Sequence, residues 1–306
     1  MLKFVVKKIL FIIPVLWIVA SVTFFLIRVV PGGPFDSQRN LPKAIVANLK
    51  AKYKLDKPIW EQYFFYLKRL SHLDLGISYK YTNRTVNEIL VQAFPVSAVL
   101  GIGALSLAVT LGVLIGVISA VNQGKFIDFA LMTLATAGIS VPTFVFGILL
   151  MYVFGLKLQI LPIGLWESPY HAILPIITLS LAPLANIARL SRSSVLDNLT
   201  KDHVLVARSF GISESRILII HVLRNSLIPI LTILGPMTAM LLTGSFVVEY
   251  IFAIPGMGRF FITAVSNRDY DLVIGTTLVF AVVLLLSNTI IDILYRIVDK
   301  RILRQT

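Results

Sequence analysis

Long apolar runs alternate with shorter polar stretches along the whole chain. Six of these runs are long enough to cross a membrane, because about 20 apolar residues suffice for a helical span. They cover residues 9–30, 95–121, 129–154, 172–190, a run with two early prolines that ends near residue 248, and 272–297. A helix satisfies its own backbone polar groups, as lipid requires. The pattern therefore predicts an all-α polytopic membrane protein with six transmembrane helices.

The stretch between the first two spans has the composition of a soluble segment, with many lysines set against acidic residues. Thr85, followed three residues later by Glu88, forms a capping-box pattern that predicts the start of the helix leading into the second span. An aromatic cluster suits the membrane interface and consists of Trp60, Tyr63, Phe64, Phe65 and Tyr66. We therefore expect four parts: a first helix over 1–30, an external helical loop over 31–93, a transmembrane domain of five helices over 94–298, and a basic cytoplasmic tail over 299–306.

A polar segment, residues 191–224, is too charged to lie in the bilayer core. Its pattern predicts a short helix over residues 201–210, with Val204, Leu205 and Ala207 toward one face. The other residues of this helix are mostly charged or polar. We interpret the segment as a surface on one side of the membrane.

A tight turn is expected directly after this helix. Gly211 ends it, because glycine readily takes the left-handed conformation that closes a helix. Ser213 and Glu214 then favour the start of a second helix, as a capping residue and as a negative charge at the positive helix end. Such a surface either lies on lipid headgroups and fixes topology or binds a partner, and the residues alone leave both possibilities open.

Helix-breaking residues interrupt two of the predicted spans. Proline within a span frees a backbone carbonyl that a neighbouring helix or water in a cavity must satisfy. A break of this kind favours a surface along a transport path, although structural kinks are equally common. The candidate path residues are Ser140, Pro142, Thr143, Pro236, Gly244 and Ser245.

Composition and charge agree with a membrane protein. The 306 residues are 57% hydrophobic and only 14% charged, with a mean hydropathy of +0.87, whereas about a quarter of a soluble domain is charged. The net charge of +13 would suggest nucleic acid in a soluble protein, but here the basic residues cluster at the ends of spans. Six lie between Arg189 and Arg224, and the short external loops hold Lys157, Arg259 and Arg268. The positive-inside rule therefore predicts cytoplasmic termini, membrane lipid as the surroundings, and no nucleic-acid partner.

Recognisable catalytic chemistry is absent from the sequence. The chain contains no cysteine, no phosphate-binding glycine loop, no His-Glu-x-x-His motif and no nucleophile elbow. The four histidines are scattered, so we predict no metal or cofactor site. Few ionisable residues lie in the spans. Arg28, Asp128 and Glu249 fall near span ends, and Asp292 is either an interfacial residue or a packing partner of the tail arginines. A proton-coupled carrier usually needs a buried acid or histidine relay, so an energy source outside the chain is expected. A carrier or channel acting alone and a membrane enzyme remain the alternatives.

Two segments carry a family resemblance. The run Ala207-Arg208-Ser209-Phe210-Gly211-Ile212, followed by Asn225 and Ile228-Pro229, resembles the "EAA" loop of binding-protein-dependent ATP-binding-cassette (ABC) importer permeases. Leu205 stands where that loop has its glutamate, and Ser209 where it has the second alanine of its later pair. A second segment is similar to the dipeptide and oligopeptide branch of these permeases and comprises Pro255, Gly256, Gly258, Arg268, Asp269 and Tyr270.

The resemblance implies the type I ABC importer fold and a role as the first of two permease subunits, the oligopeptide permease B type. It implies a heterodimer with a second permease, two cytoplasmic ATPases that bind ATP and Mg, an external peptide-binding protein, and a peptide substrate. Related permeases carry dipeptides, murein peptides, nickel complexes or glutathione. In such importers the EAA loop docks to the ATPase, which implies that role for Ala207, Arg208, Ser209, Gly211 and Ile212. The membrane implied is the bacterial inner membrane.

Overall fold

Helices make up nearly all of the regular structure. The structure, a computed structural model, describes residues 2–35, 43–81 and 83–298; the basic tail predicted over 299–306 lies outside them. The α-helices are α1 Leu2–Val29, α2 Lys43–Lys52, α3 Ile59–Ser71, α4 Val86–Val121, α5 Phe126–Ser140, α6 Thr143–Leu150, α7 Ile173–Leu199, α8 Asp202–Ser209, α9 Glu214–Arg216, α10 Arg224–Leu242, α11 Phe246–Ile251, α12 Met257–Asn267 and α13 Tyr270–Val298. Two π-helical segments, Met151–Lys157 and Ile217–Leu223, continue α6 and join α9 to α10.

Five helical stretches of the described chain are long and apolar enough to cross a membrane. They are Leu10–Val29, Val86–Val121, Pro169–Leu199, Glu214–Ile251 and Tyr270–Arg296. A sixth is formed if Phe126–Ser140 and Thr143–Lys157 are taken together, although these two halves are bent by 102°. The prediction of a polytopic all-α protein is therefore confirmed, with the third span broken rather than continuous.

The break in the third span follows from its proline. Val141 is extended, with φ −85° and ψ 124°, and Pro142 precedes the first turn of α6. The ring of a proline disfavours the helical conformation in the residue before it, and proline itself has no N–H to donate to a preceding turn. One helix therefore ends at Ser140 and another begins at Thr143.

A second break separates α10 from α11. Gly244 has φ +93°, a conformation that closes helices and that glycine adopts without steric cost. Ser245 is extended and precedes the first turn of α11, where its carbonyl accepts the Glu249 N–H at 2.9 Å. Pro236 lies within α10, away from this break.

The chain divides into two compact units. The first ends at Val96 and resumes over Gly256–Val282; the second covers Ser97–Pro255 and resumes at Val283. In the first unit, one core cluster joins the start of α4 to α12 and α13, and another joins α1 and α3 to α13. The predicted capping box at the start of α4 is present, because Thr85 N–H donates to Glu88 at 3.0 Å and Glu88 N–H donates to Thr85 Oγ1 at 3.2 Å.

The aromatic cluster of α3 differs from the sequence prediction. Tyr63 and Tyr66 are buried and pack against Phe24 of α1, at ring distances of 5.3 and 5.5 Å. Trp60 and Phe64 are exposed instead. All five aromatic residues of this cluster were expected at the membrane interface, but α3 is amphipathic and turns two of their rings into the core of the first unit.

Candidate functional site

The turn after α8 has the geometry that closes a helix. Gly211 has φ +75°, its N–H donates to the Arg208 carbonyl at 2.9 Å, and the Ile212 N–H donates to the Ala207 carbonyl at 3.3 Å. This pair of bonds is the Schellman pattern, in which a left-handed residue lets the chain leave the helix while the last carbonyls stay satisfied. Ser213 precedes α9 as expected, without a side-chain capping bond.

One face of α8 is anchored in the second unit. Val204 is fully buried and Ala207 is 5% exposed. Both pack in a cluster whose other buried members are Ala120, Val195, Ile217 and Val222. Ile212 is packed against the same cluster. The family resemblance singled out both Ala207 and Ile212. Their packing therefore holds α8 against the interior of the second unit.

The opposite face of α8 is apolar and exposed. Leu205 and Val206 are each 53% exposed, and Phe210 is 80% exposed. Leu205 was predicted on the same face as Val204 and Ala207, but it points away from them. Adjacent residues of a helix are about 100° apart, so Leu205 cannot share the buried side with both. We call Leu205, Val206 and Phe210 the outer face of α8.

An ion pair between Arg208 and Glu214 spans the turn between α8 and α9. Arg208 Nε donates to Glu214 Oε1 at 2.8 Å, and Arg208 Nη2 donates to Glu214 Oε2 at 3.1 Å. The hydrogen-bonded Glu214 carboxylate raises the pKa of the Arg208 guanidinium. Ser209 Oγ donates to the Val206 carbonyl at 2.8 Å. The planar guanidinium is thus directed along the turn while remaining accessible to solvent.

The candidate path residues lie mostly at the two helix breaks. Ser140 and Pro142 are exposed and Thr143 is half-buried at the α5–α6 break, while Gly244 and Ser245 are half-buried at the α10–α11 break. Pro236 is exposed on α10. The structure does not bring Pro236 to a break, so its place on the path rests on exposure alone.

The second halves of the two broken helices meet. A Cβ added to Gly147 of α6 would lie 3.2 Å from the Phe252 ring, just past the end of α11. Beyond this contact lies an open, mainly apolar cavity of about 930 Å³, whose wall includes Met151, Ile163 and Phe252. Gln159, Leu165 and Ala253 in the same wall have positive φ values of 54°, 76° and 53°.

The segment around Asp269 is more ordered than the external loop that the sequence predicted. Gly256 precedes α12, Gly258 is buried within that helix, and Pro255 is exposed. Arg268 ends α12 in the left-handed conformation, with φ 54°, and its guanidinium donates to the Pro31 carbonyl. The 11 residues of α12, about three helical turns, therefore replace most of the expected loop.

Asp269 ties this segment to residues 78–80. Its buried carboxylate accepts hydrogen bonds from Ser78 Oγ, from Tyr79 N–H at 3.0 Å and from Lys80 N–H at 3.3 Å. Burial, and then the nearby Asp271 charge, raises the pKa of the Tyr79 hydroxyl. Tyr270 donates to the Gly32 carbonyl at 3.4 Å. These contacts fix the position of the segment within the first unit.

Comparison with known protein families identifies the chain. Residues 112–304 match the binding-protein-dependent transport system inner membrane component, and residues 1–101 match the N-terminal model of such membrane components. The chain belongs to this family. This permease is therefore the membrane component of an ABC importer and not its ATPase, and the family implies an ATPase and a substrate-binding protein as partners.

Relatives match the permease over nearly its whole length. It is 41% identical over 302 residues to the dipeptide transport system permease protein DppB of Bacillus subtilis, covering 99% of this chain and 98% of that one. It is 42% identical over 304 residues to the oligopeptide transport system permease proteins OppB of Haemophilus influenzae and Escherichia coli K12, covering 99% of each chain.

A solved structure shows the fold. A chain of the MetNI methionine ABC transporter in an inward-facing conformation aligns with a TM-score of 0.54 at 18% identity, covering 69% of this chain and 96% of that one. The permease therefore has the type I ABC importer fold as a multi-pass membrane protein.

Sequence reasoning missed several buried polar groups of the permease. Glu249 of α11 is fully buried and accepts a 2.6 Å hydrogen bond from Ser97 Oγ of α4. Asp128 of α5 is also buried and pairs with Arg192 of α7. Both carboxylates lie near the ends of apolar runs, as predicted, but partners distant in sequence enclose them. The sequence held no signal for these pairings, because nothing local marks which arginine or serine faces which carboxylate.

Proposed function

We propose that this permease is the first permease subunit of an ATP-driven importer that moves oligopeptides across the bacterial inner membrane by alternating access. The full-length relatives named as dipeptide and oligopeptide transport permeases support a peptide substrate. The segment from Pro255 to Tyr270 supports the same branch of the family. Peptide length and side-chain preference belong to the binding protein in this proposal.

The proposed assembly contains three kinds of partner subunit. A second permease subunit forms a heterodimer with this chain, two cytoplasmic ATPases supply the energy, and an external peptide-binding protein delivers the cargo. The distribution of basic residues supports cytoplasmic termini and a cytoplasmic 191–224 segment. The parts over 1–30, 31–93, 94–298 and 299–306 remain our proposed domain organisation.

The outer face of α8 is the observation that best supports this function. Three apolar side chains are presented to solvent on a helix whose other face is buried and whose following turn is closed by hydrogen bonds. Exposed apolar surface rimmed by polar groups is typical of a protein interaction site. We propose that this face docks into the ATPase, with Arg208 and Ser209 at its rim and with Ala207, Gly211 and Ile212 fixing its shape.

The two helix breaks are the proposed lining of the path. The exposure of Ser140 and Pro142 and the half-burial of Thr143, Gly244 and Ser245 support this placement. Backbone outside regular helices is tolerated at membrane depth where it lines a water-filled cavity or is buried in protein. The α6 and α11 halves would then move about these breaks when the path opens.

The decisive experiment is peptide-dependent ATP hydrolysis in vesicles that contain this permease and its partner subunits. Gly211→Pro removes the N–H that bonds to Arg208 and forces φ to a negative value, whereas the turn needs φ +75°. We expect the variant complex to assemble but to lose peptide stimulation. Unchanged stimulation in this variant would refute the docking role of α8 and the turn that follows it.

Gly211→Ala is the matched control. An added Cβ at this position meets nothing within 4 Å, so alanine keeps the N–H and pays only the left-handed penalty of roughly 1–2 kcal/mol. Stimulation should fall less than in Gly211→Pro. An equal loss in both variants would mean that contact at this position, rather than the turn, is what the ATPase needs.

A further inference from the structure

Asp128 forms a fully engaged ion pair near the start of α5, with a buried carboxylate and a half-buried Arg192 guanidinium. Arg192 Nε donates to Asp128 Oδ1 at 2.7 Å, and Arg192 Nη2 donates to Oδ2 at 2.8 Å. Ser119 Oγ donates to the same Oδ1, and the Gly124 N–H donates to Oδ2 at 3.0 Å. One carboxylate of a residue that is 5% exposed thus joins the end of α4, the following turn, α5 and α7.

Such a pair fixes geometry more than it adds stability. Burying the Asp128 charge is costly, and the attraction compensates for it only when the geometry is good and the remaining polar atoms are bonded. Bidentate contact between guanidinium and carboxylate also sets the mutual orientation of the two groups. The Asp128–Arg192 pair therefore holds α5 against α7 in one arrangement.

Helix α7 connects this pair with α8, which carries the proposed docking face. Arg192 lies in the last two turns of α7, which ends at Leu199, and α8 begins at Asp202. Val195 of α7 is fully buried in the cluster that also holds Val204 and Ala207 of α8. A displacement of α8 would therefore act first on the end of α7 that carries Arg192.

Helix α5 connects the pair with the break at Pro142. Beyond Asp128, the helix packs on α7 through small residues, Ala135 against Ala185 and Ala188, which allow the two backbones to approach closely. It ends at Ser140, directly before the break. With its start tied to Arg192, α5 would move together with α7, and the backbone at Val141 would bend to accommodate this movement.

We propose that the Asp128–Arg192 pair is the link through which movement of α8 reaches the broken third span. This inference rests on the proposed function. The two residues are positioning residues, since they act on the path through α5. Loss of the ion pair should uncouple ATP hydrolysis from peptide transport. The ATPase still docks and hydrolyses ATP, but less peptide is moved for each ATP.

The test measures peptide uptake and ATP hydrolysis together in vesicles that contain the complete complex. Asp128→Asn replaces one of the two acceptor oxygens with an NH₂ group that faces the guanidinium. We expect uptake per ATP to fall about fivefold or more, because fivefold is the lower end of the coupling factors typical of two linked sites. Arg192→Lys keeps the charge but loses the two-pronged contact, so it should give an intermediate ratio even if Asp128→Asn does not fold.

The matched control is Asp56→Asn, the same side-chain change at an exposed position between α2 and α3, and it should leave the ratio unchanged. The inference is overturned if assembled Asp128→Asn and Arg192→Lys complexes keep the wild-type ratio, because the pair would then be only structural. It is also overturned if uptake and hydrolysis fall in parallel, or if Asp56→Asn lowers the ratio equally. A wild-type complex without peptide-dependent hydrolysis would instead refute the proposed function itself.

Discussion

Phe210→Ala should weaken binding of the ATPase strongly while leaving α8 folded. Phe210 is the most exposed member of the outer face, at 80%, and complete burial of a phenylalanine side chain is worth ~1.5–3 kcal/mol. Loss of its ring should therefore cost about 2 kcal/mol of binding free energy. Because about 1.4 kcal/mol corresponds to a factor of ten, the Kd should rise about thirtyfold. Aromatic residues at the centre of an interface often dominate its binding energy in this way.

The assay is a titration of the ATPase subunit onto the permease complex in lipid nanodiscs. The chain offers a close control in Phe126→Ala, because Phe126 is 81% exposed but lies at the start of α5, outside the 191–224 segment. The control should change the Kd by less than about twofold. A Kd for Phe210→Ala that matches the control would refute the reasoning, since exposed apolar area on α8 would then contribute nothing to docking.

Two further predictions concern stability, each measured as the thermal unfolding midpoint of the purified permease complex. Gly101→Ala would place a Cβ 2.5 and 2.7 Å from the backbone at the end of α10, so it should destabilise by about 1–3 kcal/mol. Gly103→Ala meets only the flexible Ile176 side chain and should cost less; the reverse order would contradict this account of helix packing. Thr85→Ala removes the acceptor of the Glu88 N–H and should cost about 1 kcal/mol, and an unchanged midpoint would show that the start of α4 is held by its core contacts alone.

Local sequence signals predicted the features that depend on a few neighbouring residues. Apolar run length gave the spans, Pro142 gave the break in the third span, and Gly211 gave the turn after α8. Each of these follows from the conformational preference of one residue or from burial along a continuous run. These signals do not depend on tertiary contacts, so the sequence is sufficient for them.

The faces of α8 could not be predicted in the same way. The sequence of this eight-residue helix has apolar residues on two sides. The pattern alone does not indicate which side packs against the protein interior and which side stays exposed for a partner. Val204 and Leu205 are both apolar neighbours, yet one is fully buried and the other is half exposed. The difference comes from the cluster around Val195, which only the folded chain brings beneath α8.

The buried carboxylates change the argument about the energy source. The scarcity of ionisable residues in the spans favoured an external source, because a proton-coupled carrier needs an acid at membrane depth. The structure buries Asp128 and Glu249 in helices of the second unit. A scarcity of buried acids therefore no longer distinguishes a proton-coupled carrier from a transporter that is driven by partner subunits. Asp128 is held by an arginine, a serine and a backbone N–H, an arrangement suited to fixing helices in place. What assigns the energy source to partner subunits is membership of the binding-protein-dependent family, established over residues 112–304, and the buried charges are then best understood as parts of the coupling between helices.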